Sequence, residues 1–282
     1  MDAIAQTAYY CCGVRARDAA SAQPICGDRL AQRFMTPEAE LAFAHFKALA
    51  RPNLSNAVRA RIIDDMLREK IAAEPGQIVF LVGAGFDTRA YRLGGGAWVE
   101  MDQADLLARK NELLHLAECP TPLMRISIDF VSESLADKLL PWAGTRDAVV
   151  MLEGVSMYLT QAQQKQLFAT LRAELPGHTL ICDLMTRRFS ERIARPFRDL
   201  LKQLGTDFAP QIDTPERTVV EEGYNIVSRT SIVARARELG AFAIPGFLLN
   251  TILRSLRDGF GVYVFKADEL HLSSGAKVGS RL

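Results

Sequence analysis

Apolar residues change their spacing near residue 75, and this change divides the chain. In residues 54–73 they recur at helical spacing on one face, at Val58, Ile62, Ile63, Met66 and Leu67. A second helical stretch, residues 36–50, opens with a threonine cap followed by proline. Glu74-Pro75-Gly76 interrupts the pattern. We therefore predict an N-terminal helical cap over residues 1–75.

Short apolar runs then alternate with helical stretches. The runs of strand length are residues 77–85, 97–103, 122–130, 147–159 and 176–185. The helical stretches between them are residues 104–118, 132–143 and 160–175. A continuous apolar run such as residues 77–85 is typical of a parallel strand that is buried on both faces. The alternation predicts an α/β core with a doubly wound parallel sheet over residues 76–185.

The alternation stops near residue 186. A charged helical stretch and a polar loop predict a helical lid or substrate cap over residues 186–225. Residues 226–282 are expected to complete the sheet, with a helix at 231–240, a final strand at the sheet edge at 261–267, and a loose tail.

Composition narrows the class of protein. The chain is 49% hydrophobic and 24% charged, which is typical of a globular protein, and its net charge of +1 offers no basic stripe for nucleic acid. Without a signal peptide or an apolar run of about 18 residues, we expect a cytoplasmic protein without membrane contact. The five cysteines are scattered and the four histidines form no metal-binding pattern, so we expect free thiols and no metal site.

Gly83-Ala84-Gly85 directly follows the first predicted strand. Glycines at this point let the backbone approach a ligand and direct N–H groups at it. The dinucleotide-binding fingerprint needs another glycine three positions after the second, where this chain has Thr88. Three interpretations stay open: a dinucleotide loop, a loop for another nucleotide-bearing cofactor, or an ordinary tight turn.

Acidic residues end the next three predicted strands, at Asp102, Asp129 and Glu153. Asp102 follows Gly85 by 17 residues, where a carboxylate can accept both hydroxyls of a ribose. Because the carboxyl ends of parallel strands share one edge, three acids there would repel a pyrophosphate and suit a sugar, an amine and a cationic centre. This favours S-adenosylmethionine over NAD, although each acid alone is also compatible with a solvated surface residue.

Arg59 lies on the apolar face of its predicted helix, whereas Arg61 points to the opposite side. An arginine on an apolar face needs an anion, and a carboxylate bound through two hydrogen bonds is its best partner. The alternative is a structural ion pair with Asp64 or Asp65.

Several segments together resemble the leucine carboxyl methyltransferase-like family of S-adenosylmethionine-dependent O-methyltransferases, in particular its bacterial small-molecule and polyketide branch. The segments are AVRARIIDD, VFLVGAGFDTRAYRL, WVEMDQADLLARK, ISIDF and MLEGVSMYL. They run from about residue 15 to residue 160. The resemblance implies a Rossmann-like class I methyltransferase sheet and S-adenosyl-L-methionine as the cofactor.

The resemblance also implies roles for matching positions. At the amino-acid end of the cofactor, Arg59 is expected to bind the methionine carboxylate and Glu153 the methionine amino group. Asp102 is expected to bind the ribose, with Gln103 beside it in the cofactor-binding set. Asp129 and Phe130 are expected to contact the adenine, and the loop of Gly83, Ala84 and Gly85 is expected to lie beneath the cofactor. Tyr158 matches a tyrosine near the transferred methyl group, with a core aromatic as the alternative. Arg15 matches a basic residue that reaches the cofactor or the substrate carboxylate, and Arg17 is nearly as suitable.

The expected reaction is methyl transfer to an oxygen of a small molecule or peptide. A carboxylate acceptor is already ionised at neutral pH, whereas a hydroxyl needs a general base. No histidine lies in the matching loops, which favours a carboxylate. Arginines 187, 188, 192 and 195 either position an acidic substrate or form a solvated helix face. The alternatives are a nicotinamide-dependent oxidoreductase and a non-catalytic cofactor-binding protein.

Overall fold

The computed structural model describes residues 3–130, 132–145 and 147–268 and contains one mixed sheet. Its strands are β1 (Ile78–Val82), β2 (Ala97–Asp102), β3 (Leu123–Ser127), β4 (Val149–Leu152), β5 (Thr179–Met185), β6 (Tyr224–Ser231) and β7 (Phe260–Ala267). The strand order across the sheet is β3-β2-β1-β4-β5-β7-β6. The first five are parallel, and β7 runs antiparallel to both of its neighbours.

Helices precede, connect and follow these strands. They are α1 (Ala3–Ala19), α2 (Pro37–Ala44), α3 (Ala50–Ala73), α4 (Arg89–Arg92), α5 (Ala104–Leu113), α6 (Leu135–Leu139), α7 (Gln161–Glu174), α8 (Arg195–Gln203), α9 (Glu216–Glu221), α10 (Ile232–Glu238), α11 (Gly246–Asn250) and α12 (Arg254–Arg257). Within the described ranges, none of these helices has the length and apolar character that crossing a membrane requires.

Alternate residues of β1 enter two different hydrophobic cores. Val79 and Leu81 pack on the side of α3 and α10, whereas Phe80 and Val82 pack on the side of α7. Each such side chain stabilises the fold by about 1.5–3 kcal/mol when fully buried. Helices packed on both faces therefore fix the position of β1 and of the point where the following loop begins.

The sheet confirms the α/β, doubly wound, Rossmann-like class and corrects one edge. Strand order reverses between β1 and β4, which creates the switch point where ligands bind in such sheets. The expectation that residues 261–267 form the sheet edge is wrong, because β7 lies between β5 and β6. The true edge strand, β6, was missed because most of its side chains are exposed and it lacks a clear apolar run.

The segment after β5 contacts the N-terminal helices through aromatic rings. Phe197 of α8 packs against Tyr10 of α1 at 4.8 Å and against Phe46 at 5.7 Å between ring centroids. The polar loop expected after the charged helix contains the short helix α9. The predicted tail, apart from Asp268, lies outside the described residues.

Candidate active site

The glycine loop after β1 is held in a conformation that requires glycine. Gly83 and Gly85 have φ values of +77° and +47°. A Cβ on Gly83 would lie 2.5 Å from Cγ2 of Val155, so both the backbone angle and the space exclude a side chain. The Gly85 N–H donates to Oδ2 of Asp102 at 2.6 Å, which ties this loop to the end of β2.

Asp102 is the last residue of β2 and is 6% exposed. Its Oδ2 accepts the Gly85 N–H and its Oδ1 accepts the Gln103 N–H at 2.7 Å. Burial raises the pKa of Asp102, and the two backbone N–H groups act in the opposite direction. Each carboxylate oxygen retains a second lone pair, so the side chain can accept two further hydrogen bonds.

Glu100 shares a strand face with Asp102 but has a different environment. It is fully buried and pairs with Lys110 and Arg125, at 2.8 Å in each case. Its charge is therefore neutralised inside the fold, and Asp102 is the acid at the carboxyl end of β2.

Asp129 and Phe130 lie on the exposed surface beyond β3. The Ile128 N–H donates to the Asp102 carbonyl at 2.9 Å, so this segment continues beside the end of β2. Oδ2 of Asp129 accepts a hydrogen bond from Ser132 Oγ at 2.6 Å. The structure thus places Asp129 at the same edge of the sheet as Asp102. Asp129 is exposed there, whereas Asp102 is buried.

Glu153 follows β4 and contacts two arginines. Its Oε1 lies 3.1 Å from Nε of Arg59, and its Oε2 lies 2.7 Å from Nη1 of Arg89. Burial by itself would raise the pKa of Glu153, but Arg89 and Arg59 outweigh burial and lower this pKa to about 2. Glu153 is therefore ionised at neutral pH and is a poor general base.

Arg59 lies on the buried face of α3, as its spacing predicts, and is 5% exposed. Besides Glu153, it contacts Asp183 of β5, with 2.9 Å between Nη1 and Oδ2. Asp183 Oδ1 accepts the Gly154 N–H at 2.7 Å. Gly154 has a φ of +70°, and a Cβ there would lie 3.2 Å from Nη2 of Arg59, so the loop after β4 packs directly on the guanidinium group.

The two alternative acidic partners of Arg59 have other contacts. Asp64 pairs with Arg89 and Arg92, and Asp65 pairs with Arg61 on the outer side of α3. Arg59 does form ion pairs within the fold, but with acids that come from β4 and β5.

These contacts belong to one buried ionic network. Within the described residues its members are Arg15, Asp28, Arg59, Asp64, Asp87, Arg89, Arg92, Glu153 and Asp183. Five carboxylates thus face four guanidinium groups, and a fifth guanidinium group, that of the exposed Arg68, lies 3.7 Å from Asp64. Since buried charges are costly without partners, these side chains are held inside the fold by opposite charges.

Sequence reasoning assigned no role to most acids and arginines of this network. One signal was available for Asp183, because a charged residue inside the apolar strand TLICDLM needs a buried partner. Asp-Thr-Arg after the glycine loop belongs to the segments that carry the family resemblance, but no local signal showed that Arg89 would be buried among three carboxylates. Thr88 stands where the dinucleotide-binding fingerprint has a glycine. Its hydroxyl donates to Asp28 at 2.8 Å, so it contacts the ionic network.

Arg15 and Tyr158 are the two remaining predicted site residues. Arg15 contacts Asp28 through Nε at 2.9 Å and donates from Nη2 to the Phe86 carbonyl at 2.7 Å, so its guanidinium group is occupied within the fold. Tyr158 is half-buried and its ring packs edge-on against Phe208 at 5.3 Å. Burial raises the pKa of Tyr158 above its ordinary value, so its hydroxyl is protonated at neutral pH.

Comparison with known sequences identifies relatives. The sequence model of the leucine carboxyl methyltransferase family matches residues 8–172. Tetracenomycin polyketide synthesis O-methyltransferase TcmP of Streptomyces glaucescens is 23% identical over 71% of this chain and 72% of its own length. A Parafrankia sp. protein named "Putative S-adenosyl-L-methionine-dependent methyltransferase" is 35% identical over 44% of this chain and 42% of its own length.

Solved structures share the fold. A DUF574 family protein from Streptomyces avermitilis aligns with a TM-score of 0.52 and 12% identity, over 91% of this chain and 96% of its own. Magnesium protoporphyrin IX methyltransferase from Synechocystis, crystallised with bound SAH, aligns with a TM-score of 0.50 and 12% identity, over 77% and 87%. From the family match over more than half of its length, we conclude that this chain belongs to the leucine carboxyl methyltransferase family, a group of S-adenosylmethionine-dependent methyltransferases.

Proposed function

We propose that this chain transfers the methyl group of S-adenosylmethionine to a carboxylate oxygen of a small molecule or peptide and so forms a methyl ester. When bound, the cofactor supplies an electrophilic methyl group on a sulfonium centre. The name of the relative TcmP, an O-methyltransferase of polyketide synthesis, supports oxygen as the acceptor atom.

The charge of the site fits this cofactor. Its amino-acid end carries one negative and one positive charge, which suit Arg59 and Glu153 respectively, and its sulfur carries a further positive charge that nearby carboxylates stabilise. A pyrophosphate would instead add negative charge beside Asp102 and Glu153. This contrast favours S-adenosylmethionine over a nicotinamide dinucleotide.

Each binding residue has a chemical group that suits its proposed partner. Asp102 retains one lone pair on each oxygen, which suits the two hydroxyls of a ribose. Glu153 stays ionised and suits an ammonium group. Arg59 has its Nη2 donors next to the half-buried thiol of Cys11 at 3.8 Å, and these donors suit a carboxylate. Asp129 and Phe130 lie beyond Asp102, where the adenine is expected.

The observation that carries the choice of a carboxylate acceptor is that the two carboxylates in contact with Arg59 already have partners within the fold. Both oxygens of Glu153 contact arginines, and both oxygens of Asp183 accept hydrogen bonds. Tyr158 is protonated at neutral pH. His178 is buried elsewhere, where Nδ1 contacts the Leu175 carbonyl at 2.7 Å. A carboxylate acceptor needs no base because it brings its own negative charge.

The chain's contribution to the reaction is then placement and exclusion of water. Tyr158, Phe208 and Phe197 form a continuous aromatic wall, with 5.3 Å and 5.9 Å between successive ring centroids. Holding two reacting groups in line can lower a barrier by about 7–11 kcal/mol. We propose that Tyr158 positions the acceptor and that the aromatic wall keeps water away from it. Arg15 donates to the carbonyl of Phe86, directly after the glycine loop. This contact supports a role for Arg15 in positioning the loop more than a role in binding substrate.

The test uses cofactor with a labelled methyl group and separate panels of carboxylic acids, peptides with free C-termini, and phenols. Products are then treated with base, because a methyl ester hydrolyses and releases labelled methanol whereas a methyl ether does not. We expect base-labile label from acids or peptides. Base-stable label from phenols alone would refute the carboxylate assignment, and calorimetric binding of NAD without binding of S-adenosylmethionine would refute the methyltransferase assignment.

A further inference from the structure

Asn56 lies one helical turn before Arg59 on the buried face of α3. It is 5% exposed, and its Nδ2 donates to Sγ of Cys11 at 3.1 Å. Its Oδ1 is buried and accepts no hydrogen bond from the residues that the structure describes. Rotating the amide by 180° exchanges the nitrogen and the oxygen, but one end still contacts only sulfur and the other end still has no partner.

A buried amide with an unpaired end is costly and needs an explanation. A hydrophobic side chain of similar volume would fill the same space without that cost. The amide is therefore more useful to a state in which a polar group of a ligand completes its hydrogen bonds.

Arg59 aims a second donor at the same sulfur. Its Nη2 lies 3.8 Å from Sγ of Cys11, whereas its Nε and Nη1 are occupied by Glu153 and Asp183. Two N–H donors of α3 thus converge on one half-buried thiol, and sulfur is a weak acceptor. A carboxylate oxygen at that point would be a much stronger partner for both donors.

We propose that Asn56 is a further binding residue for the amino-acid end of S-adenosylmethionine. Its amide donates to the carboxylate together with Arg59, at the position where both side chains contact Sγ of Cys11. The amide also retains an acceptor, which suits the ammonium group of the same amino acid. This inference rests on the proposed function, because it takes Arg59 as the carboxylate-binding residue.

The test is Asn56→Leu, which keeps most of the side-chain volume and removes both polar atoms. Isothermal titration calorimetry measures the affinity for S-adenosylhomocysteine and for methylthioadenosine, which has the nucleoside but no amino-acid end. We expect S-adenosylhomocysteine to bind about 10- to 100-fold more weakly, since a hydrogen bond to a charged group is lost. We expect methylthioadenosine to bind as it does to the wild type. The melting temperature should stay the same or rise, because the unpaired amide is gone.

Asn53 provides a matched control on the same helix. Its buried Oδ1 also has no partner among the described residues, but its Nδ2 donates to the backbone carbonyls of Phe46 at 3.1 Å and Lys47 at 3.4 Å. Unlike the Asn56 donors, the Asn53 donors thus have strong acceptors within the fold, which indicates a structural role. Asn53→Ala should lower the melting temperature and leave the affinity for S-adenosylhomocysteine unchanged, the opposite pattern to Asn56→Leu. Asn56→Ala serves as the second variant if the leucine does not fit.

Two results would overturn the inference. One is unchanged S-adenosylhomocysteine affinity in a folded Asn56 variant, and the other is an equal loss for both ligands, which would indicate a general distortion of the site. Failure of the wild-type protein to bind S-adenosylhomocysteine would instead refute the proposed function, and this inference with it.

Discussion

Replacing Asp102 by alanine tests the proposed ribose contact. The carboxylate has about four lone-pair sites, and the N–H groups of Gly85 and Gln103 take one on each oxygen. One site per oxygen remains, so two ligand hydroxyls can each find an acceptor. The alanine removes both of these acceptors and leaves space that water can enter.

The expected loss follows from these contacts. A hydrogen bond to a charged group contributes about 1.5–3 kcal/mol, and water in the vacated space offsets part of the loss of two. We therefore expect S-adenosylhomocysteine to bind about 10- to 100-fold more weakly to Asp102→Ala, which corresponds to about 1.4–2.8 kcal/mol. Isothermal titration calorimetry at neutral pH measures this difference directly.

Glu100 supplies the matched control, because it is an acid on the same strand two residues earlier. Glu100→Gln leaves Lys110 and Arg125 without their shared carboxylate and should lower stability without changing the affinity for the cofactor product. If Asp102→Ala bound S-adenosylhomocysteine as tightly as the wild type does, the ribose assignment would be wrong. An equal loss of affinity in Glu100→Gln would show that the effect comes from distortion of β2.

Three further predictions concern Gly154, Arg89 and His178, which support the fold around the site or in the core. Gly154→Ala places a methyl group 3.2 Å from Nη2 of Arg59, at a φ of +70° that disfavours any side chain. It should lower the free energy of unfolding by about 1–2 kcal/mol and weaken the binding of S-adenosylhomocysteine. An unchanged melting temperature together with an unchanged affinity by calorimetry would contradict this. Arg89→Met removes a cationic partner from three buried carboxylates, of which Asp64 keeps Arg92 and Glu153 keeps Arg59, and should cost about 3–5 kcal/mol in urea unfolding. Arg33→Met on the surface should cost less than about 1 kcal/mol, and similar losses in both variants would refute the distinction. Burial lowers the pKa of His178 to about 4. Between about pH 6.5 and pH 4 the unfolded chain therefore binds more protons than the folded chain. The free energy of unfolding should fall as pH decreases through that window, by up to about 1.4 kcal/mol per pH unit. His178→Phe should remove this component of the slope, and an identical pH profile would show that His178 does not titrate this way.

The sequence by itself determined the α/β core and the positions of its first five strands. Apolar runs such as residues 77–85 predict buried parallel strands because each such strand must be covered on both faces, and the structure confirms this arrangement. The glycine loop, and the acids that end β2 and β4, were also identified from sequence. Their positions follow from local rules, since parallel strands bring their carboxyl ends to one edge of the sheet.

Only the tertiary structure decided which charges meet. Arg59, Glu153 and Asp183 come from α3, from the loop after β4 and from β5, and their pairing depends on how α3 packs on the sheet. The unpaired amide of Asn56 has the same origin, because burial and missing partners depend on neighbours distant in sequence. Edge strand β6 also depended on the assembled sheet, since β7 provides its hydrogen-bonding partner and its own side chains are largely exposed. Local patterns report periodicity and caps, whereas a charge network depends on distances between segments that only packing brings together.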